Sequence, residues 1–131
     1  MREVETDRFV AAPPAAVARA LTPERVVEAE GSFTVRETRE EDGATLVAAG
    51  RRGVGLLFRF EEREDGLEYE QIEGPLATLT TTLTYRAEDE GTRLTARSSV
   101  EASGPGLLDR LAAWKRKGEL KRALATLADE A

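Results

Sequence analysis

The chain has no cysteine and no histidine, one tryptophan, and lysine only at Lys115, Lys117 and Lys121. These absences exclude disulfides, thiol nucleophiles, a histidine general base, and zinc centres built from cysteine or histidine. No apolar run approaches the roughly 20 residues needed to span a bilayer. Met1 to Val10 alternates charged and apolar residues, unlike a signal or transit peptide, so a cytoplasmic location is the expectation. The net charge of −6 argues against a nucleic-acid partner, because phosphate binding relies on a cationic footprint.

What is present amounts to one domain. At 131 residues the chain can bury a real core without a disulfide or metal staple, and residues 1–131 are read as one unit. Charge is unevenly spread. Residues 107–124 carry Arg110, Lys115, Arg116, Lys117, Lys121 and Arg122 against Asp109 and Glu119, a local +4, which leaves −10 elsewhere. This basic segment reads either as a docking face for an acidic partner or an anionic membrane surface, or as a solvated helix face that balances an acidic sheet.

The order of elements is the informative part. Arg2 to Val10 reads as a strand. Pro13 and Pro14 suit a helix entry, followed by helix-forming Ala15 to Leu21. Thr22-Pro23-Glu24 reads as a fresh N-cap and first turn of a second short helix, ended by Gly31. Six strand-like segments follow: 32–39, 44–50, 54–63, 67–73, 78–87 and a last one through Leu94 to Glu101. Between them stand the turns Glu41-Asp42-Gly43, Arg51-Arg52-Gly53, Asp65-Gly66, Gly74-Pro75 and Glu88-Asp89-Glu90-Gly91. Gly106 to Ala131 reads as a long helix whose apolar residues do not form one straight stripe. Leu107, Leu108, Leu111 and Trp114 lie on one side of its first half, and Leu120, Ala123, Leu124 and Leu127 on a rotated face of the second. Gly118 stands at the change, where the helix either bends or meets a different surface.

Three stretches carry a family resemblance: Phe9-Val10-Ala11-Ala12-Pro13-Pro14-Ala15-Ala16-Val17, Glu90-Gly91-Thr92-Arg93-Leu94-Thr95, and Gly104-Pro105-Gly106-Leu107-Leu108. With the element order they resemble the START-like superfamily, also called SRPBCC or helix-grip, and within it the polyketide cyclase/dehydrase-like proteins and those similar to a carbon monoxide dehydrogenase subunit. The resemblance implies an α+β fold: a seven-stranded curved antiparallel sheet with two short helices and a long C-terminal helix, in the order β-α-α-β6-α. It further implies a pocket between sheet and helix for a lipid, polyketide, sterol or other apolar small molecule. Two departures bear on the size of that pocket: Ala18 follows Val17 where many members have tryptophan, and the chain is shorter than most. No catalytic motif carries over.

The inward stripes would line such a pocket. Their apolar members are Phe33, Val35, Leu56, Phe58, Phe60, Leu79, Leu83, Leu94 and Val100, with Leu111 and Trp114 expected to close from the helix. Tyr69, Gln71, Thr81, Tyr85 and Ser98 fall on the same stripes. Each buried polar group left unpartnered costs about 1–3 kcal/mol, so each needs a hydrogen bond, a water or a ligand. The residues selected as ligand-binding are Phe58, Phe60, Tyr69, Gln71, Thr81, Leu83, Tyr85, Ser98, Leu111 and Trp114. Glu37, Glu68, Glu70 and Glu73 fall on outward or rim positions. Gly50-Arg51-Arg52-Gly53-Val54-Gly55 lies between two strands and lacks the strand-to-helix context of a phosphate loop. No metal ligands, cofactor motif or catalytic constellation are selected. The leading expectation is a non-catalytic carrier or sensor of an apolar small molecule. The alternatives are a cyclase- or dehydratase-like enzyme using Tyr69, Tyr85 or an inward carboxylate, and an interaction protein docking through the basic C-terminal helix.

Overall fold

A computed structural model describes residues 1–131. The elements are β1 (Arg2–Val10), α1 (Pro14–Ala20), α2 (Pro23–Glu30), β2 (Thr34–Glu41), β3 (Ala44–Arg51), β4 (Val54–Arg63), β5 (Gly66–Glu73), β6 (Thr78–Glu88), β7 (Gly91–Glu101) and α3 (Gly106–Glu130). The helix starts follow from local chemistry. Pro14 and Pro23 occupy first-turn positions, and Thr22 Oγ1 accepts a hydrogen bond from the Arg25 N–H at 3.3 Å. Gly31 ends α2 in the left-handed conformation, φ 82°, which a residue with a side chain resists. This cap fixes Glu30 at the last position of the helix, pointing inward.

All strands pair antiparallel in the order β1-β7-β6-β5-β4-β3-β2, so the first strand lies beside the last. Three of the hairpins close on paired positive φ values, at Asp42 and Gly43, Arg52 and Gly53, and Asp89 and Glu90, which match the twist of the flanking strands. Register shifts between Val35 and Glu37 and between Leu57 and Phe58 bend the β2–β5 half. Gly66 is required by close approach: a Cβ there would lie 1.8 Å from the Leu83 carbonyl oxygen.

The expected alternation holds. Phe58, Phe60, Leu67, Tyr69, Leu79, Thr81, Leu83, Leu94, Ala96, Ser98 and Val100 are buried on the concave face. α3 crosses that face against β1, β7 and α2, and no helix is long and apolar enough to cross a membrane. The helix runs unbroken through Gly118, and its two halves meet different surroundings. Its second half buries Leu120, Ala123, Leu124 and Leu127 in the core, whereas Leu107, Leu108, Leu111 and Trp114 of the first half face solvent. Burying each of the second-half leucines contributes about 1.5–3 kcal/mol, so that half anchors the helix.

Candidate functional site

The stripe that α3 buries at helical spacing is Ala113, Arg116, Glu119, Leu120, Ala123, Leu124 and Leu127. One of its members is an arginine, only 3% exposed. A buried guanidinium must satisfy five N–H groups, and partners from five elements, α2, β5, β6, β7 and α3 itself, do so. Nη1 donates to Glu30 Oε1 at 2.6 Å and to Glu119 Oε1 at 3.3 Å. Nη2 donates to the Tyr69 hydroxyl at 2.6 Å and Thr81 Oγ1 at 2.8 Å, with Glu30 Oε2 at 3.3 Å. Nε donates to Ser98 Oγ at 3.2 Å.

The partners are themselves tied down. Tyr69 donates to Glu30 Oε2, Ser32 donates to Glu119 Oε2, and Thr81 and Ser98 bond each other at 2.9 Å. Tyr69 also stacks on Phe60, with ring centroids 4.4 Å apart, and meets Phe58 edge-on at 5.8 Å. Burial pushes the Tyr69 phenol well above its ordinary value; Arg116 opposes this and Glu30 adds to it. For Arg116, burial works against the charged form, but Glu30, Tyr69 and Glu119 outweigh it and hold the guanidinium more firmly protonated than usual. Tyr69 is thus a fixed donor and acceptor, unsuited to act as a base near neutrality.

Beside this cluster the sheet and helix stand apart around a cavity of about 270 Å³. Its apolar wall is Phe33, Leu56, Phe58, Leu76, Leu79 and Ala112. Glu30, Arg116, Glu119 and Gln71 supply the polar wall, with Lys115 placed over the Phe33 ring at 5.9 Å. Gln71 Nε2 donates to the Leu76 carbonyl oxygen at 2.7 Å, whereas its Oε1 is buried and receives no hydrogen bond from the protein. Larger depressions exist elsewhere, but that of about 370 Å³ between Pro23, Glu40, Thr45 and Glu62 is mostly polar in lining.

The structure sorts the residues selected from sequence into three groups. Phe58 and Gln71 line the cavity. Phe60, Tyr69, Thr81, Leu83 and Ser98 are buried outside its lining; three of them, Tyr69, Thr81 and Ser98, solvate Arg116 instead of a ligand. Tyr85, Leu111 and Trp114 are misplaced by the sequence reading. Tyr85 is part-buried beside Ala18, Leu21 and Leu67, away from the cavity, because β6 there packs against α1. Leu111 and Trp114 are 54% and 79% exposed and close nothing, because the buried stripe of α3, to which Arg116 belongs, turns them outward. Arg116 itself is withdrawn from the basic face to which its sequence neighbours assigned it. The sequence reading missed Glu30 and Glu119, since carboxylates default to the surface. The available signal was the i, i+4 and i, i+7 spacing of Arg116 to Leu120 and Ala123, which places a cation on a core stripe and demands buried acids.

No protein-family model matches the chain, and no curated protein matches it in sequence. Solved structures do match in shape. The crystal structure of TTHA0849 from Thermus thermophilus superposes with a TM-score of 0.76 at 23% identity, covering 98% of this chain and 96% of that one. A START superfamily protein from Mycobacterium smegmatis gives 0.69 at 11% identity, with 98% and 99% covered. The di-domain ARO/CYC StfQ from the steffimycin biosynthetic pathway gives 0.70 at 17% identity; 97% of this chain matches 50% of that larger one. The protein therefore has the START-like, helix-grip fold, a curved seven-stranded antiparallel sheet closed by one long terminal helix.

Proposed function

We propose that the protein binds a small apolar molecule carrying a hydrogen-bond donor, held in the cavity between β4–β6 and the first half of α3. It would act as a non-catalytic carrier or sensor. The observation that carries this reading is a cavity between sheet and helix whose apolar wall stands opposite the polar side chains of Glu30, Gln71 and Glu119. The two carboxylates, Glu30 and Glu119, and the two cations, Lys115 and Arg116, of the same wall balance, which favours a neutral hydroxyl over an acid. The cavity lies near the lower end of the usual range of roughly 300–1,000 Å³, which suits a molecule of one or two rings. The START superfamily and ARO/CYC names among the fold neighbours agree with an apolar ligand.

Against a cyclase-like enzyme stands the saturation of the titratable groups. The oxygens of Glu30 and Glu119 are held by Arg116, Tyr69 or Ser32, which leaves no free base poised at the wall. The test is binding of 2-naphthol, a neutral aromatic alcohol, followed by its fluorescence, against 2-naphthoate as the acid control. The alcohol should bind and the acid should not, and Ala112→Phe, which fills the cavity from the helix, should abolish binding while the protein stays folded. Equal binding by Ala112→Phe and the wild type would refute the site, and preference for the acid would refute the donor requirement.

A further inference from the structure

We propose that the outward face of the first half of α3 docks on an anionic lipid surface, with Leu107, Leu111 and Trp114 entering the interface and the surrounding cations meeting headgroup phosphates. This goes beyond small-molecule binding and, apart from Lys115 at the cavity's edge, stands on different residues.

Leu107, Leu111 and Trp114 recur at i, i+4 and i+7, so they form one stripe, and they are 65%, 54% and 79% exposed. Leu108 extends the stripe on one side at 40%. Water-exposed apolar residues that are contiguous, instead of scattered, mark an interaction surface.

The charges beside the stripe are of one sign. Arg110, Lys115, Lys117, Lys121 and Arg122 are all exposed, and none forms a salt bridge. Of the thirteen arginines outside this helix, six, Arg39, Arg59, Arg63, Arg86, Arg93 and Arg97, engage a carboxylate, whereas none of these five clustered cations does. The two acids of the same helical segment are withdrawn from this face. Asp109 is held by the Ala102 N–H at 2.8 Å and the Met1 ammonium at 3.1 Å, and Glu119 is buried against Arg116 and Ser32. At Gly118 the missing side chain opens a groove bounded by Trp114, Lys117, Lys121 and Arg122, wide enough for an anionic headgroup. An apolar stripe that ends in an aromatic, with cations free of salt bridges around it, is the arrangement of helices that lie in the plane of a membrane surface. A second copy of the chain docking through the same face would set these cations against one another, so charge complementarity selects an anionic occupant.

Trp114 is the chain's one tryptophan and reports on the face directly. Its emission should shift to the blue, and the full-length protein should co-sediment, with phosphatidylcholine vesicles that contain phosphatidylserine, but not with vesicles of phosphatidylcholine alone. Raised salt should reverse both. Neutralising Lys117 and Lys121 should weaken binding about five-fold for each cation, and Trp114→Ala should weaken it while leaving the melting temperature unchanged. Four results would overturn the proposal: no shift with anionic vesicles, equal binding to neutral vesicles, wild-type binding by both sets of variants, or a concentration-dependent dimer that buries Trp114 in the absence of lipid. Binding to an acidic protein with no affinity for either vesicle would overturn it equally.

Discussion

The guanidinium of Arg116, on the terminal helix, donates across 2.6 Å to the hydroxyl of Tyr69, at the centre of the sheet. Both residues are almost wholly buried, at 3% and 2% exposure, and Glu30 at the end of α2 bonds to both. One polar cluster therefore pins the sheet, the short helix and the long helix together.

Replacing Arg116 by methionine should cost about 3–5 kcal/mol, because it leaves buried acids without a counterion. Pairing Arg116→Met with Glu30→Gln should return a good part of that loss. Urea unfolding of the single and double variants gives the coupling; additive losses would mean that the two residues do not act as a pair.

Tyr69 ties stability to alkaline pH. Its folded value is raised above the ordinary 10.0, chiefly by burial, so the neutral phenol is favoured in the native state. The stabilising contribution is complete below the unfolded value and falls as pH rises beyond it, since the unfolded chain then ionises first. In a Tyr85→Phe protein, phenolate absorbance should appear only together with loss of native circular dichroism. A phenolate signal from folded protein near pH 10 would contradict the cluster.

Asp109 contributes on the acid side, as do Glu61 and Glu88, whose carboxyls Arg59 and Arg93 also hold below their ordinary values. The Ala102 N–H, and secondarily the Met1 ammonium, hold the Asp109 carboxyl below the ordinary 3.8. Its contribution is present above that value and is lost as pH falls through the lower folded one. Asp109→Asn should lower the melting temperature at neutral pH, with the difference from wild type narrowing toward pH 3. A constant offset across that range would rule out the linkage.

The fold was readable because strands and turns announce themselves locally. Leu79, Thr81 and Leu83 against Thr80, Thr82 and Thr84 fix a strand and its two faces without reference to anything distant. The site was less readable because it depends on partners far apart in sequence. Tyr69, Thr81 and Ser98 lie on the inner face, as their alternation implies, yet what satisfies them is a cation 18 to 47 positions away that composition assigns to solvent. Trp114 failed for the complementary reason. Size and apolarity argue for burial, but the phase of a helix is set by the whole buried stripe, and here Arg116 belongs to that stripe while Trp114 does not.

The partnership of β1 with β7, from Arg2 opposite Val100 to Val10 opposite Thr92, has a consequence for synthesis. A ribosome makes the N-terminal strand first, yet its hydrogen-bonding neighbour is among the last sheet residues to emerge. Until residue 101 has cleared the exit tunnel, the Arg2–Val10 segment has no ladder to join. The closing of this sheet is thus a late, long-range event in the life of the nascent chain, and the charged residues along β1 keep it from pairing with strangers while it waits.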